Sequence, residues 1–297
     1  MSVPAGKTAA PRGGLLARAP SAPLVVGAIA SVQFGSALAA TLFAQIGPAG
    51  TVLLRTTFGA VVLLAIFRPR VKGRSARELG LVALFGLVLG AMNLSFYEAL
   101  HRIPLGIAVA IEFVGPLGVA LAGSRRITDL LWVALAAVGI LALTRAGSHA
   151  VDALGVVLAL VAGCMWGAYI LLNARVGRAF DGATGLALAM CVASLALLPA
   201  GAADGGSHLL QGQSLALGAA VGILSSAIPY ALEMEALRRI AAPVFGVLMS
   251  LEPAMAALAG LVVLGQHLGA RVFVGIAMVT VASAGASRRA ARAPLAA

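Results

Sequence analysis

Apolar stretches of about 17–25 residues recur from residue 22 almost to the end of the chain, separated by short charged or Pro/Gly-containing breaks. A helix needs about 20 apolar residues to cross a bilayer's hydrocarbon core of roughly 30 Å. Lipid offers no partner to a backbone N–H or C=O, so a spanning segment must satisfy its own hydrogen bonds. Composition points the same way. With 61% hydrophobic and only 10% charged residues, a chain of 297 residues lacks the charge to cover a soluble surface, and its mean hydropathy is +1.03. The expected fold is an all-α integral membrane protein with ten transmembrane helices, over 22–44, 50–67, 79–100, 104–123, 127–144, 153–173, 183–201, 214–237, 243–264 and 269–287.

The net charge of +11 is a matter of topology rather than of nucleic acid. With a cytoplasmic N-terminus and ten spans, seventeen of the 21 Lys and Arg residues fall on the cytoplasmic side. Arg102, Arg145 and Arg271 fall outside, and Arg55 lies within a span. This positive-inside bias predicts a multi-pass protein with both termini in the cytoplasm and no nucleic-acid partner. Residues 1–21 form a basic tail without the apolar run and cleavage pattern of a removable signal. Its lack of acidic residues also suits an organellar transit peptide, but topology accounts for the basic start. Cys164 and Cys191 sit inside spans, which argues against a structural disulfide. His101, His149, His208 and His267 are scattered over loops and helix ends, so neither a metal nor another cofactor is expected.

The chain also repeats itself. EALHRI (98–103) recurs as EALRRI (235–240), and at the same offset of 137 Pro116 falls on Pro253 and Gly123 on Gly260. A fainter echo pairs QFG (33–35) with MWG (165–167). Two repeats of five spans follow, 22–145 and 153–287, with residues 288–297 as a cytoplasmic C-terminal tail. Five is odd, so the second copy enters the membrane inverted, an architecture common among secondary transporters. GLVLG (86–90), GCMWG (163–167) and GAAVG (218–222) are read as packing motifs where backbones approach closely.

Few polar groups fall within the spans, and each is costly: a charge at mid-membrane costs at least about 2.5–3.5 kcal/mol on insertion scales. Glu112 lies near the middle of span 4, with Pro116 four residues on. A proline lacks the N–H that would bind the carbonyl of residue 112, so carboxylate and freed oxygen sit at one depth. Glu252 precedes Pro253 in span 9, Glu233 lies in span 8, and Arg55 is the only cation in a span. Gln33, Asn93 and Tyr97 complete the candidate set for substrate binding or proton coupling. Among the scarce aromatics, Trp166, Tyr169, Phe113 and Tyr230 are candidates to line a cavity. Two readings stand open for Arg55 and the glutamates: a permanent buried ion pair that fixes helix register, or a site for a zwitterion with protonatable carboxylates. No GxSxG, HExxH or GxxxxGK[ST] motif is present, and no loop has room for a soluble catalytic domain, so no enzyme is expected.

Ten spans in two inverted halves resembles the drug/metabolite transporter superfamily, EamA type. PLGIAVAIEFVGPLGVAL (104–121), SSAIPYALEMEALRRI (225–240) and FGVLMSLEPAMAALAGLVVLGQ (245–266) resemble, more narrowly, its amino-acid exporters. The resemblance runs from about residue 24 to 287 and implies a secondary active efflux carrier of the bacterial cytoplasmic (inner) membrane. Small threonine- or homoserine-like amino acids would be exchanged against protons by alternating access. By position it carries over to Gln33, Arg55, Asn93, Tyr97, Glu112, Glu233 and Glu252, but not to Glu98 and Glu235. Two alternatives are an exporter of drugs or other metabolites with the same fold, and a membrane scaffold or sensor whose buried charges are static pairs.

Overall fold

The computed structural model of the protein describes residues 21–69, 71–122, 130–144, 152–181, 183–237, 239–240 and 242–290. The basic N-terminal tail with Lys7, Arg12 and Arg18 lies outside the described residues, as do Arg70, Arg125, Arg126, Arg145, His149, Arg238 and Arg292. The described chain is helical, without a strand among these residues. In order the helices are α1 (Ser21–Ala40), α2 (Phe43–Phe67), α3 (Ala76–Leu100), α4 (Leu105–Glu112), α5 (Val114–Ala122), α6 (Leu130–Thr144) and α7 (Ala153–Ala179). Then come α8 (Thr184–Gly205), α9 (Gly212–Gly222), α10 (Ile228–Leu237), α11 (Ala242–Met249), α12 (Glu252–Leu264) and α13 (Ala270–Ala290), with a π-helical turn, Ile223–Ala227, joining α9 to α10.

Among the described residues, eight stretches are long and apolar enough to cross a membrane, and two shorter apolar ones, Leu105–Val119 and Leu131–Leu143, accompany them. The surface carries large apolar side chains, among them Ile66, Leu131, Leu195 and Val262, whereas Gln33, Asn93, Glu112 and Glu252 are buried. Apolar outside and polar inside is the distribution a hydrocarbon solvent selects. This is a multi-pass membrane protein.

Helix α1 packs against α10 and α12, α2 runs along α8, and α3 lies against α7 and α8. Helix α4 is wedged between α12 and α7, and α6 pairs with α13. The three GxxxG motifs sit at such crossings. Gly86 and Gly90 meet α8 at Ala189, Val192 and Ala193, and Gly218 and Gly222 meet α2 at Leu54 and Phe58. Gly163 meets the junction of α4 and α5, so closely that a Cβ there would fall 2.7 Å from the Glu112 carbonyl oxygen.

Several helices are interrupted, each for a local reason. In α2, Gly47 adopts φ 67°, a left-handed conformation open to glycine, and the helix resumes at Pro48. Proline has no N–H, so the first donor to satisfy is that of Ala49, which donates to Asp204 Oδ2 on α8 at 3.0 Å. Pro116 leaves the Glu112 carbonyl without its helical donor, and α4 and α5 part at Phe113. Pro253 likewise cannot donate to Met249. The chain there passes through i→i−3 bonds at Ser250 and Leu251 before α12 begins. Pro229 cannot donate to Ser225, and Ile228 N–H binds the carbonyl of Ile223, five residues back, widening the helix into its π turn.

Gly163→Val inserts a side chain where backbone meets backbone. It is expected to destabilise the protein by about 1–3 kcal/mol, as overpacking does, seen as a lower midpoint of thermal unfolding in detergent. An unchanged midpoint would show that α7 can move away from α4 at no cost.

Candidate functional site

Three of the four proline-related interruptions, at Phe113, at the π turn and at Ser250–Leu251, adjoin one cavity of about 230 Å³. Helix α1 brings Gln33 and Ser36 to it, α2 Arg55 and α3 Asn93. Helix α4 contributes its last residue, Glu112, and α12 its first, Glu252. Trp166 and Tyr169 come from α7, Ser225 and Ser226 from the π turn, and Tyr230 and Glu233 from α10. Glu112 and Glu252 are thus both held at helix breaks, where the prolines leave backbone carbonyls without an intrahelical donor. At 8% exposure or less, Gln33, Asn93, Glu112 and Glu252 are withdrawn from the outer surface, and Glu233 is partly buried.

Nine of the eleven sequence-predicted residues therefore meet at the cavity, and two stand behind it. Tyr97 is fully buried, and its hydroxyl accepts a hydrogen bond from Arg55 Nη1 at 2.9 Å while the guanidinium lies 5.3 Å from its ring centre. Tyr97 holds the cation rather than lining the space in front of it. Phe113, also buried, packs edge-on against Trp166 at 5.2 Å between ring centres and fixes that indole from behind. The freed Glu112 carbonyl lies against Gly163 of α7.

The permanent ion pair is not formed. The ion pairs among the described residues are Arg74–Glu78, Arg102–Glu98 and Arg239–Glu235, each between residues four apart along the chain and each away from the cavity. Arg55 has Tyr97 as its hydrogen-bond partner, and its Nε is buried without one. Glu112, Glu233 and Glu252 make no side-chain hydrogen bond or ion pair with another described residue. Asn93 Nδ2 is engaged by the Leu89 carbonyl at 2.8 Å, whereas Gln33 Oε1 is buried and unpartnered. Leaving charges and polar groups unpaired in a low-dielectric interior is costly. Here they all face one space, and together they offer a cation, three carboxylates, amides and hydroxyls to one small polar molecule.

Ser36, Ser225 and Ser226 escape a search for charged and amide residues within apolar spans. The last two carry a signal nonetheless: SSAIP places Ser225 four residues before Pro229, the spacing that singles out Glu112 before Pro116.

A bundle of membrane-spanning helices around a buried, charged cavity is the arrangement of a membrane transport protein. The chain belongs to the EamA-like transporter family, whose profile matches residues 153–288. It is 43% identical over 271 residues to the threonine/homoserine exporter RhtA of Salmonella typhimurium strain LT2, covering 90% of this chain and 91% of that protein. To the threonine/homoserine exporter RhtA of Escherichia coli K12 it is 44% identical over 264 residues, 88% of each chain. One solved crystal structure matches 93% of this chain and all of its own length, with a TM-score of 0.58 at 19% identity, a likeness of fold.

Tyr97→Phe removes the hydroxyl that holds Arg55 and leaves the ring in place. A hydrogen bond to a charged group is worth enough that the apparent KM for transport is expected to rise about tenfold, with the protein still inserted. An unchanged KM would mean that ring packing alone positions the guanidinium.

Proposed function

We propose that the protein is a secondary active exporter of small amino acids of the threonine and homoserine kind, working by alternating access in a bacterial inner membrane. The observation that carries this reading is Arg55, a cation facing the same cavity as Glu112, Glu233 and Glu252 without being paired to any of them. A zwitterion supplies the missing partners: its carboxylate goes to Arg55 and its ammonium to Glu112 or Glu233, with Gln33 or Asn93 left for a side-chain hydroxyl. A cavity of about 230 Å³ is smaller than the roughly 300–1,000 Å³ typical of drug-sized ligands, which favours an amino acid over a drug. The relatives named as threonine/homoserine exporters support the same substrate class.

Ten spans in two inverted halves, 22–145 and 153–287, give such a carrier its two-sided access. The helix breaks at Phe113 and Ser250 are 137 residues apart, as are the ion pairs Glu98–Arg102 and Glu235–Arg239, and both support the repeat. The concentration of Lys and Arg on one side supports cytoplasmic termini. The halves rock about the cavity, which opens first inward and then outward. A proton arriving from outside neutralises one of the glutamates, releases the ammonium and lets the carrier reset with one charge fewer in its low-dielectric interior.

Cells overproducing the protein are expected to grow in otherwise inhibitory threonine or homoserine and to export the labelled amino acid. In proteoliposomes the flux is expected to depend on an imposed proton gradient. No gain in resistance together with no labelled efflux would sink the exporter reading. Glu112→Gln keeps the shape and removes the charge, so it is expected to abolish transport in a protein that is folded and inserted. Normal transport by that variant would exclude Glu112 as the ammonium or proton site.

A further inference from the structure

Buried hydroxyls on a membrane helix ordinarily turn back onto the carbonyl four residues earlier. In this protein Thr51 does so onto Gly47 at 2.7 Å, Thr56 onto Val52 at 2.9 Å and Ser250 onto Gly246 at 3.1 Å. Ser225 and Ser226 do not, although each is only 8% exposed, and both Oγ atoms are without a partner. Both lie on the π turn, where Ile228 N–H binds the Ile223 carbonyl five residues back and Pro229 leaves the Ser225 carbonyl without its helical donor. The turn is held in that form from outside, since Ser31 Oγ on α1 donates to the Leu224 carbonyl at 2.6 Å. Opposite the two hydroxyls stand glycines. A Cβ on Gly35 of α1 would collide with Ser225 Oγ, and one on Gly59 of α2 would fall 3.0 Å from Ser226 Oγ. Across the same cavity Gln33 Oε1 is a buried acceptor that is likewise unpartnered.

We infer that Ser225 and Ser226, with Gln33, form the subsite that recognises the side-chain hydroxyl of the transported amino acid, and so select hydroxylated amino acids over aliphatic ones of the same shape. The inference rests on reading the cavity as an amino-acid site. A substrate hydroxyl has one proton to give and lone pairs to receive, while Gln33 Oε1 can only accept and a serine can donate. The donor and acceptor capacities therefore match one hydroxyl. An aliphatic analogue would leave all three groups unsatisfied, which is how a polar subsite rejects a substrate that merely lacks a hydroxyl. Arg55 and the glutamates read the amino and carboxylate groups that all amino acids share, so discrimination must come from elsewhere in the cavity.

The test is transport by the purified full chain in proteoliposomes, with threonine competed against valine and homoserine against norvaline, pairs in which a methyl replaces the hydroxyl. The wild-type protein is expected to favour the hydroxylated member by about tenfold or more in kcat/KM. In S225A/S226A that ratio is expected to fall at least about fivefold, through the hydroxylated member. The single variants S225A and S226A and the near-isosteric Q33M are each expected to lower it in part, and they decide the matter if the double variant does not insert. A ratio within about twofold of wild type in variants that still transport would overturn the subsite, as would an equal loss for both members of a pair. Wild-type transport without preference would overturn the subsite alone. A wild-type protein that moves none of the four amino acids would refute the exporter reading and the subsite with it.

Discussion

Backbone hydrogen bonding without water is the constraint on which the rest of this structure depends. A helix in lipid must close its own ladder, and a proline opens it. Pro116, Pro229 and Pro253 do so inside the protein, where neighbouring helices can approach the exposed carbonyls, and their interruptions surround the same cavity. The consequences differ with context. At Pro116 and Pro253 the helix parts, and a glutamate ends one segment or begins the next. At Pro229 the helix stays continuous but widens, and the hydroxyls of the two serines on the turn have no partner. Glu112, Glu252, Ser225 and Ser226 thus sit where the backbone is irregular, because an opened ladder is tolerable only where protein rather than lipid surrounds it.

Electrostatics follows the same economy of place. The ion pairs Arg102–Glu98 and Arg239–Glu235 lie near helix ends, where each side chain keeps about a quarter of its surface exposed. Pairs so placed contribute little to stability. Inside, Arg55 is held by a neutral phenol instead of a carboxylate. Tyr97 orients the guanidinium without discharging it, so its field remains directed into the cavity. A buried Arg–Glu pair would be a better neutralised interior but would have nothing left for a ligand.

Much of this was legible in the sequence, for physical reasons. Apolar length and charge asymmetry reveal spans, and the rarity of polar residues in lipid made Gln33, Arg55, Asn93, Glu112, Glu233 and Glu252 conspicuous one at a time. What could not be read were relations between helices. Tyr97 looked like a binding residue and Phe113 like a lining one because aromatic character carries no depth; only packing puts one beneath Arg55 and the other behind Trp166. Serines are too common on membrane helices to stand out, so Ser225 and Ser226 needed the π turn to distinguish them. The kink at Gly47 and Pro48 falls in the break expected between spans 22–44 and 50–67, but its stabilising partner, Asp204, lies 155 residues from Ala49 and leaves no local signal. Of the ten expected spans, eight answer among the described residues to stretches long and apolar enough to cross a membrane; the other two fall on shorter apolar helices, one of them interrupted before Pro116.

The contact between Gly163 and the Glu112 carbonyl has a mechanical meaning. Where two helices meet through side chains, rotamers can absorb a relative shift, and one helix can slide while the other stays. Main chain against main chain leaves no such cushion. Helix α7 and the α4–α5 elbow are therefore geared together at this point, and a tilt of one is transmitted to the other. Trp166, three residues along α7 from Gly163, travels with the carboxylate of Glu112. An acid and an indole from different helices are so held at one spacing on a single wall of the cavity.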